Sequence, residues 1–285
     1  SIFSWVIFNE QWGLYTTNDS DDNNQNEREI LPETYDWVAS MYYYAKSLDQ
    51  SRLIEDNSPC CGGLHTVTDI NSWHNYLPGY EWENYLKKEA EKNFKGGSHL
   101  YYRGFKQDNQ PFMNSECGNV WGYKGSTGDI DWSYDYHAMI NSFRIFPEIA
   151  GWVYTEHHDV INEWNGYWRF DRSKKYTGVE EIFDGMTLND FHSPIYLSTG
   201  GQICQTVSGG EKIDVPLFIS SMTPKEYGKE LVIDYKLSHI NYIGEESILQ
   251  SNQIKFDYHP WLQKSLPSLN LTMAKVGGLS KLTFT

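Results

Sequence analysis

Two glutamates stand in matching places along the chain. Glu10 directly follows the apolar run Ile2–Phe8, within Phe8-Asn-Glu-Gln-Trp-Gly13, and Glu116 directly follows a second short apolar stretch, within Asn114-Ser-Glu-Cys-Gly118. In a parallel α/β barrel the C-terminal strand ends face one site, so carboxylates far apart in sequence can converge there. A pair of carboxyls is what glycoside cleavage requires: one protonates the leaving oxygen, and the other attacks the sugar or activates water. Either glutamate alone is more simply a solvated strand-end charge or half of an ion pair. Two in equivalent contexts point to the chemistry.

The elements that must position them follow a strand–helix rhythm. Ile2–Phe8 lacks the alternation of a half-exposed strand and suits one buried on both faces of a parallel sheet. Asn18–Glu29 is dense in Asp, Asn and Glu and reads as a solvated loop. After Pro32, the residues Trp37, Met41, Tyr44 and Leu48 form one apolar helical stripe. Short strands are expected at Arg52–Asp56, Val67–Trp73, Pro111–Asn114 and Ile149–Tyr154. Helices are expected over Trp82–Phe94, ended by Gly96-Gly97, and over Trp132–Phe146. Alternating strands and helices imply a parallel α/β sheet. Beyond residue 186 the period becomes two, in Ile213/Val215/Leu217/Ile219 and Leu231/Ile233/Tyr235/Leu237, which is antiparallel strand chemistry and fits a small β-sandwich. The boundary is placed between Thr177 and Asn189, giving domains 1–180 and 181–285.

Composition narrows the substrate. With 23 Lys and Arg against 38 Asp and Glu, the net charge of −15 leaves no clustered cation surface for nucleic acid. No apolar run approaches the roughly 20 residues needed to cross a bilayer. The 11 Trp, 21 Tyr and 13 Phe make 16% of the chain, more than a core of this size needs. Aromatic faces stack on the C–H faces of sugar rings while carboxylates accept hydroxyl hydrogen bonds, so the balance leans towards a carbohydrate partner. Four cysteines are too few and too irregular for a disulfide scaffold, and no CxxC pair or cluster with ligand spacing calls for a metal or another cofactor. No G-x-S-x-G elbow supports an α/β-hydrolase.

The two glutamate motifs resemble the acid/base and nucleophile motifs of glycoside hydrolase family 2, which includes β-galactosidases, β-glucuronidases and β-mannosidases. That resemblance implies a (β/α)8 TIM barrel with the acid/base after strand four and the nucleophile after strand seven. It implies Glu10 as acid/base, Glu116 as nucleophile and Asn9 as the hydrogen-bond partner of the sugar 2-hydroxyl. His74-Asn-Tyr76 resembles the clan's sixth-strand His-x-Tyr, and Trp152 its eighth-strand aromatic platform. The likeness covers residues 1 to about 176, where strands one to three have no counterpart. The expected molecule is therefore α/β: a partial barrel of strands four to eight followed by an immunoglobulin-like β-sandwich, a piece of a longer retaining exo-β-glycosidase whose N-terminal domains are its missing partners. As an isolated fragment it is expected to be inactive and to associate through its open sheet edges, as in a homo-oligomer. The alternative is a non-catalytic carbohydrate-binding or assembly module.

Overall fold

The structure, a computed structural model, describes residues 2–10, 31–60, 62–118, 131, 133–161, 163–182 and 185–285. The expected solvated loop Asn18–Glu29, and Gln11 to Gly13 of the first glutamate motif, lie outside these residues. The chain is mixed α/β with few helices and several sheets, in two compact units: Ser1–Ile130 with Glu148–Thr177, and Asp131–Pro147 with Gly178–Thr285. Among the described residues no helix is long and apolar enough to cross a membrane.

Among its described residues the first unit holds five parallel strands in two ladders. β1 (Ser4–Val6) pairs with β2 (Leu53–Glu55), and β3 (Asn71–Tyr76), β4 (Phe112–Gly118) and β5 (Ile149–Tyr154) pair in that order. Single main-chain bonds run between the ladders, from Asp69 N to Ile54 O (2.8 Å) and from His74 N to Pro59 O (3.2 Å). β3 starts later than the alternation suggests. The preceding residues spend their hydrogen bonds on Asp56, whose Oδ2 accepts from both the Thr66 amide and hydroxyl, so they run as an irregular approach. β4 runs further than expected, because Cys117 pairs with both Asn75 and Tyr154, and Glu116 therefore lies inside the strand.

Two expectations about apolar faces are corrected. β1 is not buried on both sides: Phe3 is 64% exposed, and Trp5 and Val6 are also exposed, since among the described residues β1 has a ladder partner on one edge alone. Helix α1 (Pro32–Leu48) opens with Pro at its first position, where the missing N–H costs nothing, and carries Glu33 in the first turn and Lys46 in the last. Its buried stripe is Tyr35, Val38 and Tyr42, whereas Trp37, Tyr44 and Leu48 face outward. Both stripes have helical spacing. The choice falls to tyrosines with tertiary partners: Tyr42 donates to Asp69 Oδ1 at 2.8 Å and Tyr35 stacks on Tyr102. Helix α2 (Trp82–Lys92) buries Trp82, Leu86 and Ala90 as the periodicity predicts, but ends before Phe94 and the glycine pair. Cys60 is disulfide-bonded, whereas Cys117 and Cys204 are free thiols.

In the second unit α3 (Ser133–Phe143) ends before the expected Phe146, and most of its residues are buried; the expected first residue, Trp132, lies outside the described residues. Asn141 fixes it by donating to Gly200 O (2.9 Å) and accepting from the Tyr196 hydroxyl (2.7 Å); the buried Arg144 guanidinium donates to Ser193 O (2.9 Å). Short α4 (Leu188–Phe191) leads into the strands. β6 (Ile195–Ser198), β7 (Lys212–Ser221) and β10 (Gln263–Thr272) form one antiparallel sheet; β8 (Glu230–Asn241), β9 (Glu246–Asp257) and β11 (Gly278–Phe284) form the other. The period-two residues of β7 and β8 enter one shared core with Phe256, Leu266 and Leu271.

Candidate active site

Four strand ends of the first unit converge. Beyond β1 the chain stays tied to the segment after β2: Ser58 N donates to Phe8 O and Glu10 N to Ser58 O, both at 2.8 Å. Glu10 sits at φ 56°, a left-handed conformation that costs a non-glycine residue about 1 kcal/mol. β3 supplies His74 and Tyr76, two residues apart and on one face. β4 supplies Glu116 at a bulge, where the register with β3 passes from Trp73↔Asn114 directly to His74↔Glu116 and leaves Ser115 extra.

His74 stands between the carboxyls. Its Nδ1 lies 2.8 Å from Glu10 Oε1 and 3.4 Å from Glu116 Oε2, and its Nε2 lies 2.6 Å from the Ser58 hydroxyl. Tyr76 donates its phenolic proton to Glu116 Oε1. Ser115 Oγ reaches Ser58 Oγ at 2.8 Å. The His74 side chain is 2% exposed, against 17% for Glu10 and 22% for Glu116, so the ring is enclosed while both carboxyls still meet solvent. One donor atom each from Glu10, His74 and Glu116 lies within 4.8 Å of the others. These three side chains could offer three ligand atoms to a metal ion, a grouping that the sequence spacing does not reveal.

Of the sequence-predicted residues, the structure brings Glu10, His74, Tyr76 and Glu116 into one hydrogen-bonded cluster. Asn9 is exposed at its bridge to Ser58, and Trp152 is half-buried on β5 in register with Asn114. Ser58 and Ser115 were not foreseen. Ser115 lies inside a motif already singled out, but nothing in the pattern around Ser58 marks it.

The surroundings of Glu116 oppose its ionisation. Burial pushes the Glu116 carboxyl above its ordinary value; His74 and the Tyr76 hydrogen bond pull it back, and the charges of Glu10 and Glu163 push it up again. Burial and Glu116 together hold the Tyr76 phenol firmly protonated. Burial, then Glu163, raise Glu156 to about 7. Carboxyls crowded together resist double ionisation, which is the condition for one to act as acid while its neighbour acts as nucleophile. The segment bearing Glu163 is tied down from within. Buried Lys175 Nζ donates to Asp159 Oδ1 at 2.6 Å and to Trp164 O at 2.5 Å, and the Gly166 amide donates to Asp159 Oδ1 at 2.9 Å. A Cβ on Gly166 would meet the Asp159 nitrogen at 2.2 Å, so only glycine allows this approach.

No protein-family model and no curated protein matches this sequence. Among solved structures the chain is similar to a Bacteroides uniformis β-glucuronidase, with TM-score 0.42, 12% identity, and coverage of 99% of this chain and 34% of that one. It is similar to a putative β-galactosidase from Bacteroides fragilis, with TM-score 0.41, 12% identity and coverage of 99% and 40%. A glycosyl hydrolase family 2 member from Bacteroides cellulosilyticus DSM 14838 gives TM-score 0.37, 10% identity and coverage of 97% and 33%. The chain thus spans between a third and two fifths of the length of these proteins. Overlaps of this quality leave the functional reading to the side chains themselves.

Proposed function

We propose that this chain is part of a retaining exo-β-glycosidase of the family 2 kind: the last strands, four to eight, of a (β/α)8 barrel in residues 1–180, followed by an immunoglobulin-like β-sandwich in 181–285. The observation that carries the proposal is the Glu10–His74–Glu116 cluster, whose donor atoms lie within 4.8 Å of one another. Retaining glycosidases hold their two carboxyls about 5–5.5 Å apart, whereas inverting ones need about 6.5–9.5 Å to admit a water.

In this mechanism Glu116 attacks the anomeric carbon of a terminal β-linked sugar while protonated Glu10 gives its proton to the leaving oxygen. Glu10, now a carboxylate, then takes a proton from the water that hydrolyses the glycosyl–Glu116 ester, and configuration is retained. Tyr76 holds one oxygen of Glu116 so that the other is free to attack, and His74 donates from Nδ1 to keep Glu10 aligned. Asn9 would meet the sugar 2-hydroxyl, and Trp152 would serve as its platform. Galactosides, glucuronides and mannosides are the candidate substrates.

The exposed apolar residues of β1 and the outward stripe of α1 support the view that further barrel strands and the N-terminal domains of a longer enzyme pack here. The chain by itself is then inactive or nearly so, because a cleft open on one side admits water and weakens the fields that catalysis uses. The same surfaces favour a second reading, an assembly or carbohydrate-binding module without turnover. Screening aryl β-glycosides against the full-length enzyme separates the two: turnover abolished by Glu116→Ala and restored by azide with inverted product supports the glycosidase, and turnover that survives Glu116→Ala refutes it.

A further inference from the structure

Ser58 is 4% exposed and meets all four of the elements that build the cluster. Its amide and carbonyl bracket the Glu10 segment, donating to Phe8 O and accepting from Glu10 N, each at 2.8 Å. Its hydroxyl lies 2.6 Å from His74 Nε2 on β3 and 2.8 Å from Ser115 Oγ on β4. One residue thus fixes the backbone of the expected acid/base and the ring that its carboxyl leans on.

The geometry points to Ser58 as a positioning residue, which holds His74 with Nδ1 turned to the two carboxyls and so keeps Glu10 in line. An imidazole rotated by half a turn about Cβ–Cγ would present C–H groups to Glu10 and Glu116, and a hydrogen bond at Nε2 is what opposes that rotation. The protonation bookkeeping agrees. A hydroxyl has one proton and can accept two. If Ser58 gives its proton to Nε2, it accepts from Ser115, and His74 is neutral with its proton on Nδ1. If Ser58 gives its proton to Ser115, it accepts from Nε2–H. With Nδ1 facing the oxygens of Glu10 and Glu116, a proton on Nδ1 donates to them, and the first of these arrangements is the neutral tautomer that places it there. The extra residue at the β4 bulge has a role here, because Ser115 completes the hydrogen bonding of Ser58.

The test is nitrogen NMR of the histidine rings in the 285-residue chain, with His74 assigned by its loss in His74→Gln. Wild-type His74 should show a proton on Nδ1 that is protected from solvent exchange; a ring with bare Nδ1 overturns the proposal without any variant. Ser58→Ala should speed exchange of that proton about tenfold, the equivalent of one hydrogen bond. His65 is the internal control for folding, since its buried ring is held by Asp56 and by Ser72. Unchanged protection of His74 in Ser58→Ala, with His65 intact, overturns the proposal. Should Ser58→Ala also release His65, then Ser115→Ala, which frees the Ser58 hydroxyl without emptying its position, decides: faster exchange at His74 supports the assignment and no change overturns it. The catalytic consequence rests on the glycosidase reading and is measured separately. In the full-length enzyme Ser58→Ala should lower kcat about tenfold or more with little change in KM. The ring signals need no substrate, so a wrong assignment of Ser58 and a wrong assignment of glycosidase activity give different results.

Discussion

Removing the charge of Lys175 probes whether the loop behind the carboxyls is held as described. Lys175 and Asp159 are 1% and 2% exposed, so neither ion is solvated. Lys175→Met leaves the Asp159 carboxylate buried with the Gly166 amide as its remaining described donor, and leaves the Trp164 carbonyl without the lysine. Breaking a buried pair from one side costs about 3–5 kcal/mol. For a unit of this size that corresponds to roughly 6–20 °C in Tm, taking about 2–4 °C per kcal/mol. The assay is urea denaturation of the whole chain, with hydrogen exchange at the Gly166 amide as the local report. Adding Asp159→Asn should recover about 1–2 kcal/mol, since it removes the stranded charge while its amide oxygen still accepts from the Gly166 N–H, and leaves the Trp164 carbonyl unsatisfied. A single-mutant cost below about 1 kcal/mol would refute the reasoning, because it would mean that water reaches the pair. So would a double mutant as unstable as the single.

In the full-length enzyme, Glu10→Ala should keep activity on aryl glycosides with good leaving groups and lose it on poor ones, which rate measurements across a leaving-group series will show; equal losses across the series would overturn the division of roles between Glu10 and Glu116. Tyr76→Phe removes a hydrogen bond that lowers the Glu116 pKa, so the acid limb of the kcat/KM profile should move to higher pH; an unmoved limb would mean that Tyr76 does not tune the nucleophile. Glu156 has a folded-state pKa of about 7 against an ordinary 4.5, so the native state binds the extra proton and stability falls as pH rises between those values. Glu156→Gln should flatten that part of the stability–pH curve, and an unchanged slope in denaturation midpoints from pH 4.5 to 7 would count against it.

Much of the fold was legible because hydrophobic period reports burial. All five strands that the described residues of the first unit form were located, and the alternating residues of β7 and β8 do enter one core. Period alone could not rank two helical stripes against each other. On α1 the decision rests on Tyr42 meeting Asp69 and Tyr35 meeting Tyr102, partners far away in sequence. Period also could not reveal that β1 has one ladder partner among the described residues, because a run that looks fit for burial looks the same when its cover is elsewhere. At the site, Glu10, Glu116, His74 and Tyr76 were legible as candidates that meet, since each stands in a short motif in or just past a strand. Ser58 was not, because a serine after a strand has many structural uses and its importance comes from four contacts that exist only after folding. The Asp159–Lys175 pair was hidden for the same reason.

The bulge at Ser115 has a consequence in parity. Paired residues of neighbouring strands share a face, so Trp73 and Asn114 lie on one side of the sheet and His74 and Glu116 on the other, although Asn114 and Glu116 are two residues apart and would lie together in a regular strand. One inserted residue thus separates an odd from an even frame within β4, and Glu116 belongs to the second frame. A regular ladder through the same residues would set Ser115 opposite His74 and carry Glu116 to the side where Trp73 stacks on Phe112, whereas deleting Ser115 would keep Glu116 opposite His74 and lose the hydroxyl that meets Ser58. The chemistry of this sheet is written in the count of its residues as much as in their kinds.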